Sequence, residues 1–451
     1  DLDVKGIKVR AHHVEGRIFD EARAKEILEN SSTKVALVSR VKVEKISRPA
    51  PFPFDLGTLQ RESWRAFHYS PKQTQQIAQS LYESGYISYP RTSSQKLPPT
   101  IGYKRILESL ARAKKFKGFA EAVLDKSPLR PRQGPKSDPA HPAIYPTGVI
   151  PKRLGKGEER IYALVAHRFI AAFGDPLVRE EANVGCLLNK EEFEFRGAWT
   201  IDPGWLPLYP YIKLKETKIP MLHEGEKLGV EKTYLKEDKT RPPDRFNQAT
   251  LVRELENRGL GTKATRAETV DTLFRREYVR GSPMEVTELG ISVIEALEEN
   301  VPEIISEELT RSFEEKLERI QNGEASQEGV LDEAKEKLMR ILLEFKSKEE
   351  AIGAKLMEGL EEKERKKRFV GTCPGCGHDL RVVRSRKSGK AFIGCSNYPK
   401  CSISYPLPQR RGVRTTSKKC RVCGLPMISV PLGRRRMLSC IDMECASKKR
   451  T

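Results

Sequence analysis

The sequence predicts a mixed α+β protein of several domains that ends in zinc ribbons, and three observations carry that prediction. Its 451 residues, 38% hydrophobic and 32% charged, suffice for two to four domains with cores of their own. Along the chain the pattern switches between strand-like alternation and helical spacing. Eight of the nine cysteines fall after residue 370, in two sets that each begin Cys-x-x-Cys. No apolar run approaches the roughly 18 residues of a membrane span, and no signal-peptide pattern opens the chain. A cytoplasmic protein with no membrane partner is expected.

Residues 1–51 hold short strands such as "KVALVSRVKVEKI", in which apolar and polar positions alternate. The prolines of "RPAPFPFDLG" mark a boundary. Residues 52–148 alternate helices with short extended pieces. Residues 149–240 return to strand-like stretches, among them "EFEFRGAWTID" and "LPLYPYIKL", and 241–360 is helical. Cys186, alone in this body, reads as a small buried hydrophobe.

Within the second block, "SPKQTQQIAQSLYESGYISYPRT" sets a helix before an extended segment. Ser70 is placed at the N-cap, Pro71 at the first helical position, and Gln73 closes a capping box. Ile77, Ala78 and Leu81 make one apolar face, and Gly85 ends the helix in a left-handed conformation. "YISYPRT" reads as a strand in which Pro90 keeps Tyr89 extended, so that Tyr89 and Arg91 project to one side. A phenol and a guanidinium facing one target suit attack on a phosphodiester, with Arg91 holding the phosphate bidentately. A packing role for Tyr89 is the alternative. His141 lies in the proline-rich "SDPAHPAIYPTG", either as a structural loop histidine or as a donor to a cleaved phosphate.

The helical block contains "RFNQATLVRELENRGLGTKATRAETVDTLFRREYVRG", a helix-turn-helix candidate. Asn247 caps a helix with Leu251, Val252 and Leu255 on one face, and Gly259 stops it. Thr265 and Glu268 form a capping box for a second helix, and Tyr278 and Val279 begin a wing-like strand. Gly261, Lys263, Thr265 and Arg266 at that helix start make a phosphate site. An ordinary helical hairpin would read the same way.

The net charge of +20 is concentrated after residue 360, where 23 Lys and Arg face 6 Asp and Glu. Such a segment attracts nucleic acid through phosphate neutralisation, or simply solubilises the chain. Cysteine spacing argues for a folded tail. Cys373, Cys376, Cys395 and Cys401, then Cys420, Cys423, Cys440 and Cys445, have the pattern of four-thiolate zinc ribbons. Two structural Zn²⁺ ions are therefore expected over 361–451, with His378 a surface residue. Phe392 and Tyr398, among basic residues, offer a stacking platform for unpaired bases, although Phe392 fits a small ribbon core equally well.

The quoted tyrosine segment, with "HPAIYPTG", "PFDLGTLQRE" and "GLGTKATRAETVDTLFRREYV", resembles the corresponding segments of type IA DNA topoisomerases, particularly the archaeal ones. The resemblance extends over nearly the whole chain, ribbons included. It implies a toroidal core with a β-rich arch formed by 1–51 and 149–240, a catalytic-tyrosine domain over 52–148, and a helical base with winged-helix-like elements over 241–360. It further implies that Tyr89 breaks a single strand of negatively supercoiled DNA through a 5′-phosphotyrosine intermediate without ATP. By the same match Arg91 and His141 act at the scissile phosphate, and Thr265 contacts the single strand. Bacterial members carry arginine where Thr262 stands, so that basic contact passes to Lys263 or Arg266.

The resemblance also implies an acidic domain holding Mg²⁺, which belongs upstream of Asp1 and would act in cis or in trans. Asp1 and Asp3 form only a chance Asp-x-Asp. The expected location is the nucleoid. Three other readings are a non-enzymatic zinc-ribbon DNA-binding protein, the topoisomerase half of a reverse gyrase, and a zinc-ribbon transcription or RNA-processing factor. The first leaves the Tyr-Pro-Arg segment unexplained. The second calls for an ATPase, and "QGPKSDP" lacks the glycine spacing of a phosphate loop.

Overall fold

The computed structural model describes residues 1–138, 140–433 and 435–448, so Pro139 of the proline-rich segment lies outside the described residues. The chain forms two compact units, Asp1–Asp271 and Thr272–Thr451.

The first unit contains a seven-stranded antiparallel sheet. Its strands are β1 (Leu2–Val4), β2 (Ile7–Val9), β3 (His12–His13), β4 (Val35–Arg48), β5 (Leu177–Leu188), β6 (Glu191–Asp202) and β7 (Lys227–Val230), in spatial order β2-β1-β7-β4-β5-β6-β3. The register follows the alternation of the sequence. Ala36 and Val38 on β4, Ala182, Val184, Cys186 and Leu188 on β5, and Phe195 on β6 are buried together. Each large aliphatic side chain so buried contributes roughly 1.5–3 kcal/mol. Cys186 is the buried small hydrophobe its surroundings suggest. Strand β4 precedes residues 52–148 and its partner β5 follows them, so this stretch leaves the sheet and returns to it. Helix α1 (Glu21–Asn30) is capped by Asp20.

Between the two long strands lie α2 (Leu56–Phe67), α3 (Pro71–Glu83), α4 (Tyr103–Arg112) and α5 (Lys117–Leu124), followed by α6 (Lys156–Ala171). Phe54, Leu59, Ala78, Leu81, Ile87, Leu107 and Leu110 share one core with Ile161, Leu164, Val165 and Phe169 of α6. Helix α6 stands where strand-like structure is expected from sequence. Its run from Ile161 to Ala171 is buried all round, and a helix apolar on every side shows no amphipathic period. It packs with the tyrosine-bearing helices, so their core extends beyond residue 148.

"LPLYPYIKL" also differs from expectation. It forms a short 3₁₀ turn, Leu206–Leu208, and then irregular backbone. Pro207 and Pro210 withhold the N–H groups that a sheet ladder requires.

Helices α7 (Gln248–Asn257) and α8 (Arg266–Arg275) follow. Asn247 caps α7 as expected, its side chain accepting from Ala249 and Thr250, and Gly259 is left-handed at φ 67°. Ala249, Val252, Ala267 and Val270 are buried.

In the second unit, β8 (Val279–Arg280) and β9 (Glu285–Val286) form the expected wing-like hairpin. Gly290, just after the hairpin, lets the chain pack closely on the residue that enters it, because a Cβ there would meet the Tyr278 carbonyl oxygen at 2.3 Å. Helices α9 (Glu288–Asn300), α10 (Glu307–Gln321), α11 (Gln327–Ser347) and α12 (Glu349–Arg368) surround a core of Ala296, Val301, Ile341 and Ile352. Helix α12 runs on past residue 360. Arg365, Lys366, Lys367 and Arg368 occupy its last turn, where positive charge is favoured by the helix dipole.

Two small antiparallel sheets complete the unit. The first joins β10 (Phe369–Thr372), β11 (Asp379–Arg384), β12 (Ala391–Cys395) and β13 (Ser404–Pro406); the second joins β14 (Arg414–Lys419), β15 (Pro426–Leu432) and β16 (Arg435–Cys440). Val370, Leu380 and Ile393 of the first share a core with Ile428, Val430 and Ile441 of the second.

Candidate active site and metal centres

The Ser70 hydroxyl accepts from the Gln73 N–H at 3.1 Å, which gives one half of the expected capping box and starts α3. Gly85, at φ 73°, turns the chain out of that helix. The segment after it is extended but is not a strand. It makes an isolated bridge, Ile87 to Pro146, and bends at Pro90 and Arg91. Both facing segments are interrupted by proline, so neither can sustain a ladder.

Side chains take over where backbone pairing stops. Ser88 donates from its N–H to the Tyr145 carbonyl at 2.9 Å and from its hydroxyl to the Ala143 carbonyl at 3.2 Å. The Thr92 hydroxyl donates to the His141 carbonyl at 3.2 Å. The result brings Tyr89 to His141, with ring centroids 4.5 Å apart and planes tilted by 48°. Tyr89 also meets the Tyr82 ring edge-on at 5.2 Å.

Arg91 follows Tyr89 by two residues, across the bend at Pro90. It lines a crevice of about 440 Å³ between α3 and the start of α8, together with Lys72, Gln79, Ser80, Ala264 and Glu268. Tyr89 is not among the residues that line it. The Arg91 Nε is buried without a hydrogen-bond partner. A buried, unsatisfied donor costs about 1–3 kcal/mol, so the position is costly unless an acceptor reaches it.

The residues proposed from sequence for the second helix start are engaged inside the protein. The Thr262 N–H donates to Thr265 Oγ1 at 2.9 Å, and the Thr265 N–H donates to Thr262 Oγ1 at 3.3 Å. The reciprocal cap at this turn thus pairs Thr265 with Thr262, whereas Glu268 forms an ion pair with Lys72 at 3.0 Å. Arg266 Nε donates to the Leu260 carbonyl at 3.0 Å. Lys263 is bound to the carboxylate of Asp138.

Asp138 and Thr262 are the residues for which sequence reasoning gave no role. The Asp-Pro dipeptide at 138 was a turn signal, but its three-dimensional partners were not visible. Burial pushes the Asp138 carboxyl upward, yet Lys263 and the N–H groups of Ser93 and Ala140 outweigh it and hold the acid well below the usual carboxylate range.

The eight tail cysteines form two groups of four whose sulfurs all lie within 4.8 Å of one another. Cys376 and Cys395 are 3.3 Å apart, Cys373 and Cys401 3.8 Å, Cys423 and Cys440 3.4 Å, and Cys420 and Cys445 3.8 Å. These are too long for disulfides. A tetrahedral zinc with bonds of about 2.3 Å spaces its sulfurs at about 3.8 Å, so both groups fit the ion.

Each begins on a tight knuckle closed by a left-handed glycine, Gly377 or Gly424, both at φ 74°. The His378 N–H draws the Cys376 thiol down, and the N–H groups of Cys423 and Val422 do the same to Cys420, while burial pushes their partners Cys395 and Cys440 up. His378 itself is exposed. Tyr398 is 75% exposed, and Phe392 is half-buried outside the shared ribbon core.

Among the described residues, these two sets are the groups of metal-ligating side chains that could hold an ion. Asp1 pairs with Arg10 and Asp3 accepts from the Gly6 N–H, and neither belongs to a group of three or more metal-ligating side chains among the described residues. No helix among the described residues is long and apolar enough to cross a membrane.

Fold and site together define a multidomain α+β protein that sets a tyrosine and a histidine ring to ring and ends in four-cysteine zinc sites. A family model described as DNA topoisomerase matches residues 2–332, and one described as topoisomerase DNA binding C4 zinc finger matches residues 370–410. The chain belongs to the type IA DNA topoisomerases.

It is 44% identical to DNA topoisomerase 1 of Pyrococcus horikoshii, over 99% of this chain and 66% of that protein. It is 43% identical to the enzyme of the same name from Methanothermobacter thermautotrophicus, over 98% of this chain and 60% of that protein. The chain therefore spans somewhat less than two thirds of these relatives. Full-length topoisomerase I from Thermotoga maritima superposes with a TM-score of 0.59 at 23% identity, covering 92% of this chain and 67% of that structure, a likeness of fold.

Proposed function

We propose that this chain is the larger, tyrosine-bearing part of an ATP-independent type IA topoisomerase that relaxes negatively supercoiled DNA. The observation that carries the reading is the contact between Tyr89 and His141, made inside the segment that matches the family.

In this reading the Tyr89 phenol attacks the phosphorus of a single-stranded phosphodiester. The Tyr89 oxygen–phosphorus bond forms, and the bond to the 3′ oxygen breaks. The DNA 5′ phosphate is then held on Tyr89, and the 3′ hydroxyl leaves with a proton. His141 lies close enough to donate a hydrogen bond or a proton at the reacting phosphate. The unpaired Arg91 guanidinium supplies charge-assisted hydrogen bonds to phosphate oxygens. Reversal reseals the strand after passage. Each step exchanges one phosphodiester for another, and phenolate, with a reference pKa of about 10, is a competent leaving group.

Thr265 and Arg266, and the ribbons through Phe392 and Tyr398, contact the single strand. The domain layout is the one the resemblance implies, and Mg²⁺ is held by an acidic domain outside this chain, acting in cis or in trans.

The test uses a 3′-labelled single-stranded oligonucleotide and Mg²⁺, with this chain alone, with an added upstream domain, and with the full-length protein. A covalent adduct on Tyr89, identified by peptide mass spectrometry, absent in Tyr89→Phe and dependent on the upstream domain, is the expected result. Tight DNA binding without any adduct in the full-length protein would favour the non-enzymatic reading. Relaxation of supercoiled DNA by this chain alone would overturn the dependence on an upstream domain.

A further inference from the structure

Asp138 occupies a junction of three segments far apart in sequence. Its side chain is 2% exposed. Oδ2 accepts from the Ser93 N–H at 3.2 Å, from the Ser93 hydroxyl at 3.1 Å and from Lys263 Nζ. Oδ1 accepts from the N–H groups of Ala140 at 3.1 Å and His141 at 3.3 Å. One carboxylate therefore fixes the backbone of His141 and the chain four residues beyond Tyr89, and draws its counter-ion from the turn before α8.

We propose that Asp138 is a positioning residue for the Tyr89–His141 pair and that Lys263 completes it as a counter-ion. The proposal rests on the reading of Tyr89 as nucleophile and His141 as its neighbour at the phosphate. Its physical basis is the cost of an unpaired charge. A buried carboxylate is tolerated where hydrogen bonds and a cation surround it, and removing the cation leaves a penalty that the loop relieves by rearranging.

Because Asp138 Oδ1 accepts from the His141 backbone N–H, a shift of that loop moves the imidazole relative to the Tyr89 ring. Lys263 belongs to the turn that leads into α8, whereas Asp138 belongs to the segment that carries His141. Docking of these two pieces against each other and correct placement of His141 become a single event. This also assigns Lys263 a role inside the protein in place of the phosphate contact expected from sequence.

The test compares the full-length wild type with Asp138→Asn, Lys263→Gln and the double variant. In single-turnover cleavage of a 3′-labelled single strand, each single variant should be roughly 10- to 100-fold slower at saturating DNA. The DNA concentration for half-saturation should match wild type in Asp138→Asn. The double variant should be no slower than the slower single variant, as expected for residues acting through one contact. A wild-type rate in Asp138→Asn, a loss confined to DNA affinity, or additive losses would overturn the proposal.

A second measurement reads the geometry without catalysis. In selectively labelled protein that still unfolds cooperatively, the nuclear Overhauser contact between the Tyr89 and His141 rings should weaken in Asp138→Asn. An unchanged contact would count against the proposal. If the wild type cleaves no DNA and the contact still responds to Asp138→Asn, the proposed function fails and the positioning role stands. Should Asp138→Asn not fold, Lys263→Gln carries both measurements, because its side chain is 39% exposed and the substitution removes the counter-ion without removing any of the loop's own donors.

Discussion

The rings of Tyr89 and His141 lie 4.5 Å apart, although one follows helix α3 and the other sits in a proline-rich loop well beyond it. A ring at this distance can serve a phosphate held at the Tyr89 hydroxyl without moving the backbone. His141→Gln should slow adduct formation by about 10²-fold or more while leaving single-strand affinity within experimental scatter. Rapid-quench cleavage and fluorescence anisotropy, measured in parallel, separate the two quantities. An equal loss in both would reassign His141 to DNA binding.

Arg91 offers a contrast between function and stability. Its Nε is a buried donor without a partner, a cost of about 1–3 kcal/mol. Arg91→Met should therefore leave the melting temperature unchanged or raise it, while adduct formation falls by about 10²–10³-fold. Arg91→Lys keeps the charge and loses the planar fork, and should fall between Met and wild type. Calorimetry alongside cleavage kinetics checks this, and a strongly destabilised Arg91→Met would mean that the guanidinium serves packing.

The paired four-thiolate groups predict two zinc ions per chain. Cys376→Ser and Cys420→Ser should each retain one ion, because each breaks a different group. Cys186→Ser should retain both ions yet lose about 1–3 kcal/mol of stability, since it buries a hydroxyl in an apolar sheet face. Metal analysis of the purified variants decides the matter. Two ions in Cys420→Ser would sink the second zinc site.

His167 should make stability depend on pH. Burial against Phe116, Phe119 and Tyr211 brings its pKa down to about 4 from 6.5. The unfolded chain binds a proton between those values and the folded chain does not. The stabilisation is therefore complete above about pH 6.5 and is lost as pH falls toward 4, amounting to about 2 kcal/mol lost by pH 5. His167→Asn can still donate to the Leu208 carbonyl, which Nδ1 reaches at 3.1 Å, and does not titrate. Denaturant midpoints of wild type and His167→Asn should converge on going from pH 7 to pH 5, and a constant difference would refute the assignment.

Features that are local were legible in the amino-acid order. Strand alternation from Val35 to Arg48, the caps at Ser70 and Asn247, the left-handed glycines 85 and 259, and the cysteine knuckles all depend on residues a few positions apart. So did the recognition of Tyr89 and His141, through short segments that resemble a family.

Features that join distant segments emerge from the folded chain alone. Helix α6 was hidden because burial on every side erases periodicity. The place of Arg91 in a crevice beside α3 and the start of α8, and the pairing of Lys263 with Asp138, depend on how distant segments meet. Local propensity acts over a few residues, whereas the partner of a buried charge is chosen by desolvation among all the groups the fold brings near it.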